Sequence, residues 1–113
     1  MTLVEGQTFG GAIAAKRKDL SLSQKELAAR ILKEDGTSIT PQYLNDIEHD
    51  RRSPTSDHLV TEFARVLQLA PEYLFILAGK VPLEDVRRAS TADATRVSRA
   101  ILAFRRELDG KKN

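Results

Sequence analysis

The sequence predicts an all-α protein: five short helices between residues 8 and 79, followed by a C-terminal helical extension over residues 80–113. Three observations predict it. Helix-starting signals recur along the chain, namely Ser23 with Glu26 three residues later, Thr40 followed by Pro41, Ser56, and Pro71 with Gly79 at the far end. Between these signals apolar residues fall at helical steps, as Leu59, Phe63 and Leu67 do at i, i+4 and i+8. After Gly79 a new pattern begins, in which Ala94, Val97, Ile101, Phe104 and Leu108 alternate steps of three and four.

Taken in order, Met1 to Gln7 lack periodicity and are expected to form a loose arm. Phe9, Ala12, Ile13 and Ala15 to Arg17 then describe a first helix, whose opening turn Gly10 and Gly11 weaken. Ser23 and Glu26 make a capping box, and Leu27, Ala28 and Ile31 share one face, so a second helix runs to about Leu32. Lys33 to Ser38 follow, with Glu34, Asp35 and Gly36 expected in an exposed bend. Thr40 is an N-cap residue, and Pro41 sits at a first helical position, where its missing N–H does no harm. At about 100° per residue, Thr40, Leu44 and Ile47 point one way in this third helix; Gln42, Asn45, Asp46 and His49 point the other. Ser56 caps a fourth helix, and Pro71 and Gly79 bracket a fifth, in which Tyr73, Phe75 and Ile76 are expected to pack. Val81, Pro82, Leu83 and Val86 suggest a short helical segment, with a break at Ala89 to Thr91 and Ser90 as the next N-cap. The final seam of Val97, Ile101, Phe104 and Leu108 is about two heptads long and flanked by Arg96, Arg99, Arg105 and Arg106. A seam so short is marginal alone; it either folds back on its own domain or meets a second copy, and the second is favoured.

The outward side chains of the third helix have a defined chemistry. Gln and Asn can bond adenine bidentately at its major-groove edge, while Thr and Tyr offer hydroxyls to bases or phosphates and a methyl or ring to thymine. Arg51 and Arg52, just past the helix, suit phosphate oxygens.

With these features in place, the chain resembles the Xre-type helix-turn-helix family, the group of the phage lambda repressor and Cro. Leu22, Ser23, Gln24, Leu27 and Ala28 carry the resemblance, then Ile39, Leu44, Ile47, Glu48, Arg52 and Pro54, then Leu59, Phe63, Ala64, Leu67 and Leu69. Pro71, Tyr73, Leu74 and Leu77-Ala78-Gly79 look like that family's fifth helix, so the resemblance spans roughly Phe9 to Gly79. It implies a sequence-specific binder of double-stranded DNA that regulates transcription, most simply a repressor, acting as a homodimer on a palindromic operator. Its base-reading residues would be Pro41, Gln42, Tyr43, Asn45 and Asp46, and its phosphate contacts Gln24, Thr40, Arg51 and Arg52. Gln24 would also buttress the recognition helix, and Arg17 and Glu48 would form a structural ion pair. The dimerisation element would be the seam of Val97, Ile101, Phe104 and Leu108. Three features depart from the family pattern: the added residues Lys33 to Ser38, Asp50 where relatives often carry Gly in left-handed backbone, and the acidic Asp46 on the reading face. Asp46 would either accept from cytosine N4 or face water.

Composition bounds the alternatives. The chain of 113 residues fits one domain with an appendage, and its lack of Cys argues against a disulfide framework or a Cys-based zinc site. No apolar run approaches the ~20 residues that span a bilayer, and no basic stretch followed by an apolar core opens the chain, so a cytoplasmic setting is expected. The two histidines, His49 and His58, stand on different predicted helices with no metal-ligand or nucleophile constellation, so neither catalysis, a metal nor a cofactor is expected. His49 would neighbour a phosphate or lie on the surface, and His58 would be solvated. Residues 1–82 hold ten Lys and Arg against eleven Asp and Glu, and residues 83–113 eight against five. A DNA-binding body usually has a basic footprint; here Lys16, Arg17, Lys18, Arg51 and Arg52 would have to cluster at the phosphates, with weak nonspecific attachment and reliance on dimerisation. The other functional class compatible with an acidic body is a protein-interaction module, such as an antitoxin, in which DNA binding is secondary.

Overall fold

The computed structural model describes residues 6–54 and 56–110. Among them lie seven helices: α1 Phe9–Asp19, α2 Gln24–Arg30, α3 Pro41–Glu48, α4 Asp57–Leu67, α5 Pro71–Leu77, α6 Leu83–Thr91 and α7 Ala94–Asp109. The one extended pairing among the described residues is an isolated antiparallel bridge between Leu32 and Ser38. The chain divides into two compact units, Met1–Lys80 and Val81–Asn113.

Capping chemistry sets most boundaries. Thr8, Ser23, Thr40, Ser56 and Asp93 each precede a helix in extended backbone, and the side chain of each accepts from a backbone N–H of the first turn. At Ser23 the box is reciprocal, since the Ser23 N–H donates 2.8 Å to Glu26 Oε1 and the Glu26 N–H donates 2.9 Å to Ser23 Oγ. Two boundaries differ from expectation. α2 stops at Arg30, because Ile31 turns to extended backbone and leads into the Leu32–Ser38 bridge. Ser90 is not a cap: α6 continues through it, its hydroxyl donates to the Arg87 carbonyl, and Asp93 caps α7 instead.

The core of the first unit draws on all five of its helices. Ile13 of α1, Leu27 of α2, Leu44 and Ile47 of α3, Val60, Phe63 and Leu67 of α4 and Leu74 of α5 are fully buried, with Ile31 from the turn after α2. At about 1.5–3 kcal/mol for each large side chain removed from water, these outweigh any single polar contact. Phe9 meets Phe63 edge to face, with centroids 5.8 Å apart and planes at 86°. In α5, Leu74 and Phe75 are buried, but Tyr73 and Ile76, expected to pack, stand 46% and 53% exposed.

α1 and α3 approach closely, and Gly10 is the reason they can. A Cβ there would sit 2.2 Å from the Ile47 carbonyl oxygen and 2.8 Å from that of Glu48. Asp50 seals the same crossing. Its backbone is left-handed, with φ +59°, and its carboxylate accepts from the Gly10 N–H at 3.1 Å and the Thr8 hydroxyl at 2.9 Å. Asp therefore stands at a glycine-like position because its side chain ties α1 to the end of α3.

Candidate nucleic-acid interface

Local chemistry fixes which way α3 faces. Thr40 Oγ1 accepts from the Tyr43 N–H at 3.1 Å, Pro41 opens the first turn, and Leu44 and Ile47 are drawn into the core. Thr40, Pro41 and Gln42 are consequently exposed, Asn45 and Asp46 half-buried, and His49, Arg51 and Arg52 exposed beyond the helix end.

Beneath this face lies a continuous polar network. Arg17 grips Glu48 with two bonds, Nε to Oε2 at 2.6 Å and NH2 to Oε1 at 2.9 Å, while NH1 donates to the Leu22 carbonyl at 2.9 Å. The Glu48 side chain is 3% exposed, and its bond to Arg17 raises the guanidinium pKa above its already high ordinary value. Arg17 is thus turned inward, its side chain only 12% exposed, and is not available as a phosphate-facing cation. Gln24 spends its amide on the same network: Nε2 donates to Glu48 Oε1 at 2.9 Å and to Asn45 Oδ1 at 3.1 Å. With both hydrogens used inside, the side chain buttresses α3 and has none left for a phosphate oxygen.

A second cluster covers the outer edge. Asp46 Oδ1 accepts from Gln42 Nε2 at 3.0 Å and from Arg51 Nε and NH2 at 3.3 and 3.2 Å, and Arg52 Nε stands 3.9 Å from Oδ2. Asp46 therefore has internal donors as partners. Tyr43 does not project freely. Its ring packs on the core, the Arg52 guanidinium lies 5.4 Å above the ring centroid, and its hydroxyl is buried without a partner. Tyr43, Thr40, Ile39, Lys33 and Leu59 line a cleft of about 330 Å³.

The added residues between α2 and α3 form a small closed loop. Lys33 N donates to the Thr37 carbonyl at 2.7 Å and Gly36 N to that of Lys33 at 2.9 Å, while Asp35 Oδ1 accepts from both the N–H and the hydroxyl of Thr37. α4 holds the base of this loop by both backbone groups of Leu32: its N–H donates to Glu62 Oε1 at 3.2 Å, and its carbonyl lies 2.8 Å from His58 Nε2. His58 is therefore engaged, contrary to its expected solvation. Glu62 has a lowered pKa, mainly through its bond to Arg65 and further through the Leu32 N–H. Nothing in the spacing of His58 and Glu62 distinguishes them from an ordinary helix surface, so only the fold discloses their role. His49, by contrast, is exposed, with Nδ1 2.9 Å from the Asn45 carbonyl.

In the second unit Val97 is half-buried, while Ile101, Phe104 and Leu108 are 45%, 43% and 68% exposed. No helix among the described residues is long and apolar enough to cross a membrane, and none of them form a metal-binding group of His, Cys, Asp or Glu.

A family model described as helix-turn-helix matches residues 13–74. Among solved structures, the clp gene regulator ClgR from Corynebacterium glutamicum shares 21% identity, a TM-score of 0.50 and coverage of 94% of each chain. A chain of a SinR protein/SinI protein complex shares 20% identity and a TM-score of 0.50, covering 92% of this chain and all of that one. At these identities the likeness is one of fold. No curated protein matches in sequence.

Proposed function

The chain belongs to the helix-turn-helix family, in its Xre, lambda-repressor-like form, and we propose that it is a DNA-binding transcriptional regulator working as a homodimer on a palindromic operator. α3 enters the major groove, Gln42 and Asn45 read bases with Pro41 and the edge of Tyr43 as apolar neighbours, and Thr40, Arg51 and Arg52 take phosphates. Asp46 organises the cluster around Gln42. The regulator acts by occupying its site and excluding polymerase. The observation that carries this reading is the orientation of α3: its inner face is anchored by Leu44, Ile47 and the Arg17–Glu48 pair, while Pro41 and Gln42 stay open to solvent.

Selection of bound sites from random duplex DNA with the full chain is expected to return a two-fold symmetric sequence with half-sites about one helical turn apart. Binding is expected to weaken steeply with salt, the log–log slope rising by about 0.9 for each phosphate neutralised. Gln42→Ala should relax preference at one position per half-site, and Arg52→Ala should weaken all sequences alike. The reverse assignment, or a flat salt response, would overturn this docking of α3. A second reading, a protein-interaction module with secondary DNA binding, is favoured by the exposed apolar residues of α7 and by one similar fold belonging to a protein complex. Salt-insensitive attachment to DNA alongside tight capture of a protein partner would select it.

A further inference from the structure

We propose that internal hydrogen bonds lock the two base-facing amides of α3 in opposite polarity, so that Gln42 is set to read adenine and Asn45 to read guanine. This rests on the docking of α3 proposed above, and adds to it which base each residue accepts.

The locking starts at carboxylates, which can only accept. Glu48 is an acceptor held by two bonds from Arg17, so the end of the Gln24 amide that faces Glu48 Oε1 at 2.9 Å must be its NH2 group. The second hydrogen of that NH2 points to Asn45 at 3.1 Å, which must therefore turn its oxygen inward. A flipped Asn45 would set NH2 against NH2. The polarity of a half-exposed side chain is thus dictated, one partner at a time, by a buried ion pair. With its oxygen turned to Gln24, Asn45 presents its NH2 outward, and the two N–H donors suit the acceptors N7 and O6 of guanine; the N6 donor of adenine would meet that NH2 rather than an oxygen.

Asp46 imposes the other sense on Gln42. Its Oδ1, which Arg51 NH2 also reaches at 3.2 Å, takes one Gln42 N–H at 3.0 Å. Gln42 is left with one N–H and its oxygen. That pair matches adenine N7 and N6 and meets two acceptors on guanine, one of which would oppose the oxygen. Asp46 and Gln24 are accordingly positioning residues that set specificity without touching a base.

The test is a base-preference matrix from selected or competing duplex sites, measured with the full chain. Gln42→Ala and Asn45→Ala first identify which position each residue reads. The wild type should favour adenine over guanine by roughly tenfold at the Gln42 position and the reverse at the Asn45 position. In Asp46→Asn, whose side chain can donate as well as accept, the Gln42 preference should fall to within about threefold while the Asn45 position keeps its own. Gln24→Met, which keeps the volume and removes the donor, should do the converse. An unchanged matrix in both variants, or adenine selected at both positions by the wild type, overturns the polarity lock and leaves DNA binding standing. The wild-type matrix tests the proposal even if a variant fails to fold, and a wild type that binds no duplex overturns the lock together with the reading beneath it.

Discussion

Cutting the Glu48 side chain back to Ala leaves the Arg17 guanidinium in a site where it is only 12% exposed, with no carboxylate to balance it. Truncating one partner of a buried pair costs about 3–5 kcal/mol, so the Glu48→Ala melting point should fall by more than ten degrees, at roughly 4–8 °C per kcal/mol for a unit of this size. An unchanged midpoint would remove the pair from the stability argument. Gly10→Ala is expected to lower the melting point as well, although Ala is the better helix former, because its methyl would meet the Ile47 carbonyl oxygen at 2.2 Å. Forced overpacking of this kind costs about 1–3 kcal/mol; a stabilised variant would show that α1 can move away. Residues of both kinds differ in how far sequence discloses them. The Arg17–Glu48 pair was legible through a family resemblance, and Gln42 and Asn45 through the polar side of a helical pattern. The inward turn of Tyr43 and the use of Asp46 by Gln42 and Arg51 were not, since both depend on rotamers chosen after the helices have met. Gly10 looked like a weak point in a helix because the backbone it accommodates lies some 40 residues away in sequence.

Elements were legible where capping side chains and apolar steps agreed, as at Ser23, Thr40 and Ser56. They are not where several polar residues compete to start a helix, as at Ser90, which lies inside α6 while Asp93 caps α7. The added residues Lys33 to Ser38 were legible as an exposed bend, but the fastening of Leu32 at their base to α4 was not. Several carboxylates of the first unit give it an acid signature. Glu62 titrates below its ordinary value of 4.5, as Glu26 does in its capping box and Asp35 does below 3.8 in the loop. A carboxylate whose pKa is depressed by folding contributes stability above its unfolded pKa and loses it as pH falls through the folded one. The first unit should therefore lose stability progressively below about pH 4.5, and Glu62→Gln should make that decline shallower. An acid limb identical in the wild type and Glu62→Gln would separate Glu62 from it.

For the whole molecule, the chain forms two compact units, Met1–Lys80 and Val81–Asn113. The acidic count of the first unit looked adverse to a polyanion partner, yet the charges that matter are placed rather than summed: Glu48 is buried on Arg17, and Asp46 is flanked by Arg51 and Arg52. What seam residues such as Phe104 meet could not be read from one chain's sequence, because a short amphipathic helix suits either its own domain or a second copy. If the proposed homodimer forms through α7, Phe104→Asp should sediment as a monomer and bind a palindrome more weakly than the wild type, with secondary structure retained. A dimer unaffected by this change would move the interface elsewhere. The loop tip between α2 and α3 offers a way to measure such an assembly. Its neck is closed by the Leu32–Ser38 bridge, nothing crowds Gly36 within 4 Å, and the chain contains no cysteine of its own. A thiol introduced at Glu34 would thus carry a single spin label on a firm mount in every copy. Two such labels on one operator become the ends of a molecular ruler, and the spacing read between them by dipolar spectroscopy would report how the paired reading heads are set along the duplex.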